Sequence, residues 1–555
     1  MNNWADLDVI DVTTLGGLLL RGARHCPDRD CIVFPDQRLT YRELADRAAR
    51  RARSLIGMGV RKGEHVAIFL PTCIELAEVL FGIALAGAVP VLINARYQGT
   101  ELAYLVENSD SVVVFSTGAV AENLNLMDRL REAIGHLDGQ NPRALRLGEF
   151  PKLRSIVQVD GKSSGVLSGE EFDRFAELVS VEEFTDRRSQ VRLRDIGLIL
   201  YTSGTTSHPK GCLLSQEAVV RNGIELARRY EMTSEDKFFS PLPMYHIAAT
   251  MPIVAALYSY ATYITMKFFD AGVGLRICEQ EKATISYLCF ATFIQDTINH
   301  PDFSKTDLSR LRLMNSSVPM QAADTLSVLM AKELPHVFQV STYGLSECAG
   351  TVTTSRLTDT YEQRMTRLGG AFPGLEVRIV DDHDNDVPTG QRGEILVRGY
   401  SIIDAYYKDA EKTEKALKGG WLHTGDIGSL DDMGHLMFHG RNKEMLKVGG
   451  ENVAALEVES FIGNHPAVKL CQVVGCPEPR MVEVVAAFIE FKPGMTTTQD
   501  EIIAFCRGRI SSFKVPRYVR FVEEWPIGAS KIQKFKLRDA LIEELGIDEF
   551  GNKVA

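Results

Sequence analysis

The alternation of helical and strand-like patterns in the N-terminal half is the feature that most constrains the fold of this chain. Segments with the hydrophobic spacing of a helix alternate with short apolar segments between residues 41 and 116. The helical segments are 41–58, 73–86 and 100–109, and the strand-like segments are 65–70, 89–94 and 111–116. Because strands that are joined through helices pair in parallel, the pattern predicts an α/β fold with doubly wound sheets.

The same rhythm returns from residue 196 to about residue 340, and β-rich segments follow at 376–380 and 393–399. Beyond residue 440 the composition becomes that of a compact α+β unit. Its helices are expected at 456–462, 497–510 and 535–545, and its strands at 468–474, 482–491 and 518–521. We therefore predict a large N-terminal domain, residues 1–440, with doubly wound sheets and a β-rich subdomain, and a small C-terminal domain, residues 441–555.

Charge, cysteine content and hydropathy exclude several functional classes. The 62 basic and 73 acidic side chains give a net charge of −11, which argues against a nucleic-acid-binding surface. The ten cysteines are scattered and form no Cys-x-x-Cys pair, as expected in a reducing cytoplasm. Residues 1–12 lack the basic residue of a signal peptide, and Glu75 and Glu78 interrupt the most apolar segment. We expect a cytoplasmic protein without integral membrane association.

A hydroxyl-rich loop follows the apolar segment 196–201 and ends at a lysine. Small residues let backbone N–H groups face an anion, hydroxyl groups add donors, and Lys210 adds a positive charge. Ser215 is expected to cap the next helix, whose N-terminus also favours negative charge. Pro209 and Gly211 flank the lysine, so this is not a Walker A loop. The loop predicts a polyphosphate site, with an ordinary loop as the alternative; its candidate residues are Thr202, Ser203, Gly204, Thr205, Thr206 and Lys210.

Two further motifs place polar and aromatic groups close together in the sequence. In segment 341–347, Glu347 could bind Mg²⁺ on phosphates, Ser346 could bond a phosphate oxygen, and Tyr343 could stack on a base. In segment 421–426, Asp426 follows a tight turn and could bind a pair of ribose hydroxyls. A solvated acid at Glu347 and a turn-forming aspartate at Asp426 are the alternatives.

Taken in order, six motifs resemble those of the adenylate-forming superfamily, which includes acyl-CoA synthetases, amino-acid adenylation domains and luciferases. The motifs are 202–211 (TSGTTSHPKG), 343–347 (YGLSE), 393–399 (GEILVRG), 421–426 (WLHTGD), 440–444 (GRNKE) and 530–534 (SKIQK). The resemblance extends from about residue 39 to residue 538. It implies the fold of this superfamily, a mobile C-terminal domain and ATP chemistry.

The resemblance implies a nucleotide site in which loop 202–210 binds phosphates and Glu347 binds Mg²⁺. The adenine would lie against the backbone of Ser317, Val318 and Pro319 and the ring of Tyr343. Contacts to ribose and phosphate would come from Asp426 and Arg441. The remaining residues of the cofactor-binding motif are Thr342, Gly344 and Ser346, of which the serine replaces the usual threonine.

The resemblance also implies residues for the later steps. Lys531 matches the catalytic lysine, which would bridge the substrate carboxylate and the α-phosphate, and Lys443 matches the hinge about which the C-terminal domain rotates. The pantetheine channel would be lined by Lys447, Gly449 and Gly450. His246 and Thr292 are the candidate residues of the acid pocket, with a core or helix-capping histidine as the alternative at position 246.

The chain departs from the pattern of the superfamily at several positions. Serines replace expected glycines at Ser207, Ser317 and Ser530, and the segment before Lys531 is one residue shorter than usual. The shortening makes Lys534 an alternative catalytic lysine.

The resemblance implies an acid:CoA ligase that uses ATP, Mg²⁺ and CoA, forms an acyl-adenylate and pyrophosphate, and then forms an acyl-CoA and AMP. No charged residue in the pocket segments 241–246 and 291–293 calls for an amino group on the substrate, so an apolar fatty, aryl, alicyclic or steroid-derived acid is favoured. The alternatives are transfer to a carrier protein, a small acid such as a carnitine relative, a luciferase-like oxygenase and a non-catalytic binding protein. A small-molecule acid and CoA are the expected partners, nucleic acid is not, and a homodimer is left open.

Overall fold

The computed structural model describes residues 12–97, 99–121, 124–135, 137–202, 209–289, 291–316, 330–441, 445–448, 451–507, 509–510, 512–527, 532–548 and 551–553. The strands share short lengths up to residue 354 and are β1 (Asp30–Val33), β2 (Arg38–Thr40), β3 (His65–Ile68), β4 (Val89–Leu92), β5 (Val113–Ser116), β6 (Val120–Ala121), β7 (Leu124–Asn125), β8 (Ser155–Gln158), β9 (Leu167–Ser168), β10 (Ile196–Thr202), β11 (Lys210–Ser215), β12 (Lys237–Phe239), β13 (Thr262–Ile264), β14 (Ile285–Tyr287), β15 (Leu313–Asn315), β16 (Phe338–Val340), β17 (Thr342–Leu345) and β18 (Gly350–Thr354).

The later strands are β19 (Gly370–Ala371), β20 (Leu375–Val380), β21 (Gly393–Gly399), β22 (Ala405–Tyr406), β23 (Leu422–Leu430), β24 (Leu436–Arg441), β25 (Met445–Val448), β26 (Glu451–Ala454), β27 (Val468–Glu478), β28 (Val482–Phe491) and β29 (Tyr518–Phe521). The described helices are α1 (Leu15–His25), α2 (Tyr41–Gly57), α3 (Ile74–Leu85), α4 (Gly99–Asn108), α5 (Leu126–Ile134), α6 (Gly169–Asp173), α7 (Val181–Ser189), α8 (Gln216–Arg229), α9 (Ile247–Ser259), α10 (Ala271–Glu281), α11 (Ala291–Ile298), α12 (Tyr361–Thr366), α13 (Ala410–Ala416), α14 (Ala455–Gly463), α15 (Gln499–Cys506) and α16 (Lys534–Leu545).

Two large, mainly parallel sheets form most of the chain up to residue 340. One has the order β22-β11-β10-β4-β3-β5-β8-β9, and the other has the order β16-β15-β14-β12-β13-β1-β2. Antiparallel pairs occur at the edges of these sheets, where β11 lies between β10 and β22 and where β2 pairs with β1. The predicted α/β fold with doubly wound sheets is thereby confirmed.

Smaller sheets follow in the second half of the chain. The strands β20-β21-β23-β24 form an antiparallel sheet, which is the predicted β-rich region. The last sheet has the order β26-β25-β28-β27, with β29 pairing in parallel with β28. The helix predicted at 497–510 ends earlier, at Cys506, because the backbone of Arg507 is extended. The proposed division at residues 440 and 441 stays a prediction.

Helix α3 is the buried centre of the N-terminal core, since all of its residues except Glu75 are buried. It packs against α1 and α2. A helix that is apolar on all its faces needs partners on all sides. The buried charge on this helix, Glu78, is 3% exposed and forms ion pairs of 2.9 Å with Arg47 and Arg51. In the part of the chain that the structure describes, no helix is both long enough and apolar enough to cross a membrane.

The carboxyl ends of the parallel strands position the candidate site. In α/β sheets, ligands bind in the crevice outside these ends. The predicted phosphate loop leaves the end of β10, and segment 341–347 follows the end of β16. Helix α8, which follows β11, begins as predicted, since the Ser215 side chain accepts a hydrogen bond from the Ala218 amide.

Candidate active site

Lys210 lies at the first position of β11, directly opposite Thr202 at the end of β10. The antiparallel pairing therefore returns the chain to the edge of the sheet from which the loop departs. The Nζ atom of Lys210 lies 4.2 Å from the centroid of the Tyr406 ring. An ammonium group over an aromatic face is attracted by the negative face of the ring, so the ring holds the lysine at the mouth of the loop.

Glu347 lies in a 3₁₀ turn, Ser346–Cys348, that follows β17. The Ile403 amide donates to the Glu347 carbonyl at 2.9 Å, and the Tyr406 hydroxyl donates to its Oε1 at 3.0 Å. Burial raises the pKa of Tyr406, and the negative charge of Glu347 raises it further, so the phenol stays a donor. Both the backbone and the side chain of Glu347 are thus held by the segment around β22.

The donors at Glu347 fit Mg²⁺. This ion keeps several waters and is usually bound through one or two carboxylates together with substrate phosphates. Among the described residues, no group of three or more His, Cys, Asp or Glu side chains forms a metal cage. A half-buried carboxylate beside a phosphate loop suits an ion that arrives with its nucleotide.

Tyr343 and Asp426 are brought into contact from positions 83 residues apart. The Tyr343 hydroxyl donates to Asp426 Oδ2 at 2.8 Å, and the two residues are 7% and 4% exposed. Burial raises the pKa of Tyr343 well above its usual range, and the charge of Asp426 adds to the effect. Asp426 itself follows Gly425, whose φ of +70° makes the tight turn expected from the sequence. The carboxylate is therefore fixed by a buried donor and does not move freely in solvent.

Two neighbours of Tyr343 have structural constraints of their own. A Cβ atom on Gly344 would lie 1.6 Å from the carbonyl oxygen of Gly350, so a side chain has no room there. The Thr342 hydroxyl accepts from Asn315 Nδ2 at 2.6 Å and lies 2.9 Å from Thr354 Oγ1. Thr342 thus belongs to a hydrogen-bond network that joins the ends of β15, β17 and β18.

His246 caps helix α9. Its Nδ1 atom accepts from the Ala248 amide at 3.2 Å, which is the helix-capping alternative considered for this residue. Ser346 begins the 3₁₀ turn that carries Glu347, and its carbonyl accepts from the Ala349 amide at 3.2 Å.

Several predicted site residues cannot be placed. Outside the described residues lie Ser203, Gly204, Thr205, Thr206, Ser317, Val318, Pro319, Lys443, Gly449, Gly450 and Lys531. For a further group the structure describes the backbone alone: Arg441 opposite Asp426 on β24, Lys447 opposite Asn452 on β25, and Thr292 on α11.

Lys534, the alternative catalytic lysine, is engaged within the C-terminal unit. Its Nζ atom lies 2.6 Å from Oε1 of Glu459, which is 8% exposed and also accepts from the Val473 amide at 2.7 Å. An antiparallel bridge joins Ile527 to Ile532 on either side of the segment that contains Lys531. Lys534 thus begins helix α16, whereas Lys531 precedes it in the sequence, and the choice between them as catalytic lysine stays a prediction.

A cavity of about 130 Å³ opens beside the carboxyl ends of β3, β4, β12 and β13. Its walls are mainly apolar, and the lining includes Thr72, Pro243, Tyr245, Lys267, Phe269 and Phe293. The rings of Phe269 and Phe293 stack with centroids 3.9 Å apart. The sequence had indicated the 241–246 and 291–293 segments as walls of a pocket, whereas the cations Lys267 and Arg96 were missed. The available sequence signal was that each of these cations lies in the loop after a parallel strand.

The cysteines near Glu347 are not candidate nucleophiles. Burial raises the pKa values of Cys212 and Cys348 well above the usual range, and the charge of Glu347 raises them further. A thiolate is the reactive form of cysteine, so these groups stay inert. Neither Cys212 nor Cys348 is therefore expected to act as an acyl acceptor at this site.

Comparison with known proteins places these features in a family. The sequence matches the AMP-binding enzyme family over residues 19–407 and the AMP-binding enzyme C-terminal domain over residues 457–531. It is 34% identical over 541 residues to YngI, a provisionally named acyl-CoA synthetase of Bacillus subtilis (strain 168), with 96% of this chain and 97% of that protein covered.

Two further relatives resemble the chain over almost its whole length. A 3-[(3aS,4S,7aS)-7a-methyl-1,5-dioxo-octahydro-1H-inden-4-yl]propanoyl:CoA ligase of Rhodococcus jostii (strain RHA1) is 33% identical over 539 residues, covering 95% of this chain and 98% of that protein. The crystal structure of the anthranilate CoA ligase AuaEII in complex with anthranoyl-AMP superposes with a TM-score of 0.84 at 27% identity, covering 97% of this chain and 99% of that one.

Proposed function

The chain belongs to the AMP-binding enzyme family and is an ATP-dependent acid:CoA ligase, and we propose that it activates an apolar carboxylic acid at the site around Lys210, Glu347 and Asp426. The observation that carries the proposal is that Tyr406 contacts both Lys210 and Glu347, while Tyr343, four residues before Glu347, holds the carboxylate of Asp426. A nucleotide requires a cation for its phosphates, a carboxylate for its metal ion and a carboxylate for its ribose hydroxyls, and Lys210, Glu347 and Asp426 provide these groups in that order.

The chemistry follows from the poor reactivity of a carboxylate, whose leaving group would be oxide. A carboxylate oxygen of the acid attacks the α-phosphorus of ATP, the new O–P bond forms, and the bond to pyrophosphate breaks. The thiol of CoA then attacks the activated carbonyl carbon, and AMP leaves with the electron pair of the C–O bond. The first step therefore yields acyl-AMP and pyrophosphate, and the second yields acyl-CoA and AMP.

Residue roles follow from charge. We propose that Lys210 binds the outer phosphates, that Asp426 binds the ribose hydroxyls, and that Lys531 bridges the attacking carboxylate and the α-phosphate. When bound at Glu347, Mg²⁺ supplies neutralisation of the phosphate charge. The ion pair of Lys534 with buried Glu459 supports Lys531 over Lys534 as the catalytic lysine, because a lysine committed to a buried carboxylate is poorly placed to reach a substrate.

The proposed acid is apolar for two reasons. The segments expected to line the acid pocket contribute no charged side chain that would pair with a substrate amino group. The Rhodococcus jostii relative acts on a bicyclic propanoyl acid that carries no amino group. We further propose that the protein works in the reducing cytoplasm, since all ten cysteines are free. A homodimer stays a prediction, which sedimentation equilibrium would test.

The cavity beside Lys267, whose lining includes residues of the expected acid pocket such as Pro243 and Phe293, is proposed to admit the acceptor thiol next to the bound acid. CoA joins phosphates to a long, weakly polar arm, and the cavity combines the cations Lys267 and Arg96 with apolar walls. Lys267 is half exposed, and its nearest carboxylate, Asp36, lies 3.8 Å away, so its charge remains accessible to a phosphate.

We expect Lys267→Ala to raise the KM for CoA about threefold to tenfold. Pyrophosphate release in the absence of CoA should not change. The control is Lys305→Ala, which removes a lysine that is 70% exposed and outside the cavity. A rise in the KM for the acid, with the KM for CoA unchanged, would assign the cavity to the acid instead.

The test of the proposed function is pyrophosphate release from ATP across fatty, aryl, alicyclic and small zwitterionic acids, with and without CoA. The wild type and Lys531→Ala are compared. An apolar acid should give pyrophosphate that depends on Lys531 and should yield a CoA thioester. Pyrophosphate without a thioester would favour a carrier-protein acceptor. A preference for the zwitterionic acids would overturn the proposed acid class.

A further inference from the structure

Tyr406 contacts both of the oppositely charged residues proposed to bind the nucleotide. Its ring lies under the Lys210 ammonium, with 4.2 Å from Nζ to the ring centroid, and its hydroxyl donates to Glu347 Oε1 at 3.0 Å. The side chain is 5% exposed, so neither contact can be replaced readily by water. We propose that Tyr406 is a positioning residue for ATP activation, which holds Lys210 and Glu347 apart and correctly oriented before the nucleotide arrives.

Backbone pairing fixes the position of Tyr406 relative to Lys210. Strand β22 pairs with β11, and Tyr406 lies opposite Cys212, two residues beyond the lysine. The Tyr407 amide donates to the Gly211 carbonyl at 2.7 Å, and the Asp404 amide donates to the Leu213 carbonyl at 2.9 Å. These bonds come from both sides of Tyr406, so its ring is held in register with the end of the phosphate loop.

The same short segment also holds the turn that carries Glu347. The Ile403 amide donates to the Glu347 carbonyl at 2.9 Å, three residues before the tyrosine whose hydroxyl holds the carboxylate. A displacement of this segment would therefore move the lysine and the carboxylate together. One element sets the geometry of both charges.

The ring has a second effect, which is electrostatic. A lysine and a glutamate that are close together tend to form an ion pair, and an ion pair would have to break before phosphates and a metal could bind. Among the residues that the structure describes, no ion pair joins Lys210 to Glu347. Tyr406 instead contacts each of them through a different part of its side chain, the ammonium through the ring face and the carboxylate through the hydroxyl. The cation and the carboxylate thus remain available for phosphate and metal, respectively.

The neighbouring tyrosine provides a matched control. The Tyr407 hydroxyl donates to Asp110 Oδ2 at 2.8 Å, so Tyr407→Phe also removes a bond from a tyrosine to a carboxylate. Asp110 additionally pairs with Lys408 at 2.9 Å and is not one of the residues proposed to bind the nucleotide. Both phenylalanine variants lose a tyrosine hydroxyl oxygen. Tyr406→Phe thereby leaves Glu347 without this donor, and Tyr407→Phe leaves Asp110 without it.

The inference rests on the proposed roles of Lys210 and Glu347, and the test measures ATP binding by calorimetry in Mg²⁺ and in EDTA. For Tyr406→Phe, the Kd for ATP in Mg²⁺ should rise about fivefold to tenfold, because the carboxylate loses its donor. Its Kd in EDTA should stay within about twofold, because the phenyl ring still holds Lys210. For Tyr406→Leu, the Kd should rise under both conditions. Tyr407→Phe should match the wild type in both.

Thermal unfolding of each variant distinguishes positioning from general damage. Tyr406→Phe and Tyr407→Phe should have similar Tm values, while only the former changes the Mg²⁺-dependent affinity. Equal ATP affinities for these two variants, or an equal loss in Mg²⁺ and EDTA for Tyr406→Phe, would overturn the inference.

Glu347→Gln separates the inference from the proposed function. If this variant leaves Mg²⁺-dependent ATP binding intact, the metal role of Glu347 fails and the positioning role of Tyr406 fails with it. If Glu347→Gln weakens binding and Tyr406→Phe does not, the inference fails while the proposed function stands.

Discussion

At the scale of single residues, the candidate site is held by side chains whose freedom is strongly restricted. Tyr343 uses its hydroxyl to hold Asp426, and Asn315 donates to both Tyr230 and Thr342 at 2.6 Å. Buried polar groups need such partners, because an unpaired one costs about 1–3 kcal/mol. The residues around the proposed nucleotide site therefore stabilise the fold as well as the geometry of the site.

Gly344 gives a prediction at this scale. Gly344→Ala would place a methyl group 1.6 Å from the Gly350 carbonyl oxygen, so β17 and β18 would have to separate next to Glu347. We expect a loss of about 1–3 kcal/mol in the free energy of unfolding, measured in urea, together with weaker ATP binding. The control is Gly148→Ala, whose methyl group would meet no atom within 4 Å. Equal stability of the two variants would contradict the prediction.

At the scale of elements, pairing partners decided what local sequence left open. The sequence indicated a strand at 196–201 followed by a loop, whereas residues 210–215 form a strand as well. Strand β11 exists because β10 and β22 supply hydrogen-bond partners on its two sides. Its polar first residue, Lys210, would otherwise be ordinary loop sequence. Helix starts were more predictable, because the caps at Ser215 and Thr40 depend on residues that are close in sequence.

The start of helix α16 gives a prediction for an element. Glu459→Gln removes the negative charge that lies 2.6 Å from the Lys534 ammonium in a largely buried position. We expect the free energy of unfolding in urea to fall by about 2–4 kcal/mol. Pyrophosphate release should also slow, since the helix follows the segment that contains Lys531.

The control for this prediction is Glu376→Gln, which removes one partner of an exposed pair with Arg398. Such a pair contributes about 1 kcal/mol or less. The prediction fails if Glu459→Gln is no more destabilising than the control.

The hairpin of β23 and β24 gives a prediction of pH dependence. Burial, together with the positive charge of Arg392 and against the opposing charge of Glu457, lowers the pKa of His439 to about 4. Because the unfolded chain binds the proton first, this contribution to stability is complete above the unfolded pKa, near 6.5, and is lost as the pH falls towards 4.

We expect the wild type to lose free energy of unfolding between pH 7.5 and pH 5, and His439→Gln to lose about 1 kcal/mol less. Urea unfolding at the two pH values measures the difference. The exposed His383 provides the control, and His383→Gln should follow the wild type. Identical pH dependence in all three proteins would show that His439 does not titrate as proposed.

At the scale of the whole molecule, the two sheets bring together segments that are far apart in sequence. Lys210 and Tyr406 are in contact although 196 residues separate them in the numbering, and both lie at one edge of the eight-stranded sheet. A ligand bound across such contacts stabilises the folded state against the unfolded chain, which lacks the site.

ATP with Mg²⁺ at about a hundredfold excess over its Kd should therefore raise the Tm by about 2 °C, by linkage for a chain of this size. Differential scanning fluorimetry measures the shift. Lys210→Ala should abolish most of it at the same ATP concentration, and Tyr407→Phe should retain it. A full shift in Lys210→Ala would contradict the proposed phosphate contact.

The sequence by itself determined the α/β class, the AMP-binding family and the motifs that carry the nucleotide chemistry, because these depend on periodicity and on residues close together in the chain. Only the tertiary structure decided that Tyr406 contacts both Lys210 and Glu347 and that Lys534 pairs with Glu459. The physical reason is that contacts between distant residues are set by strand pairing and core packing, which local patterns do not specify.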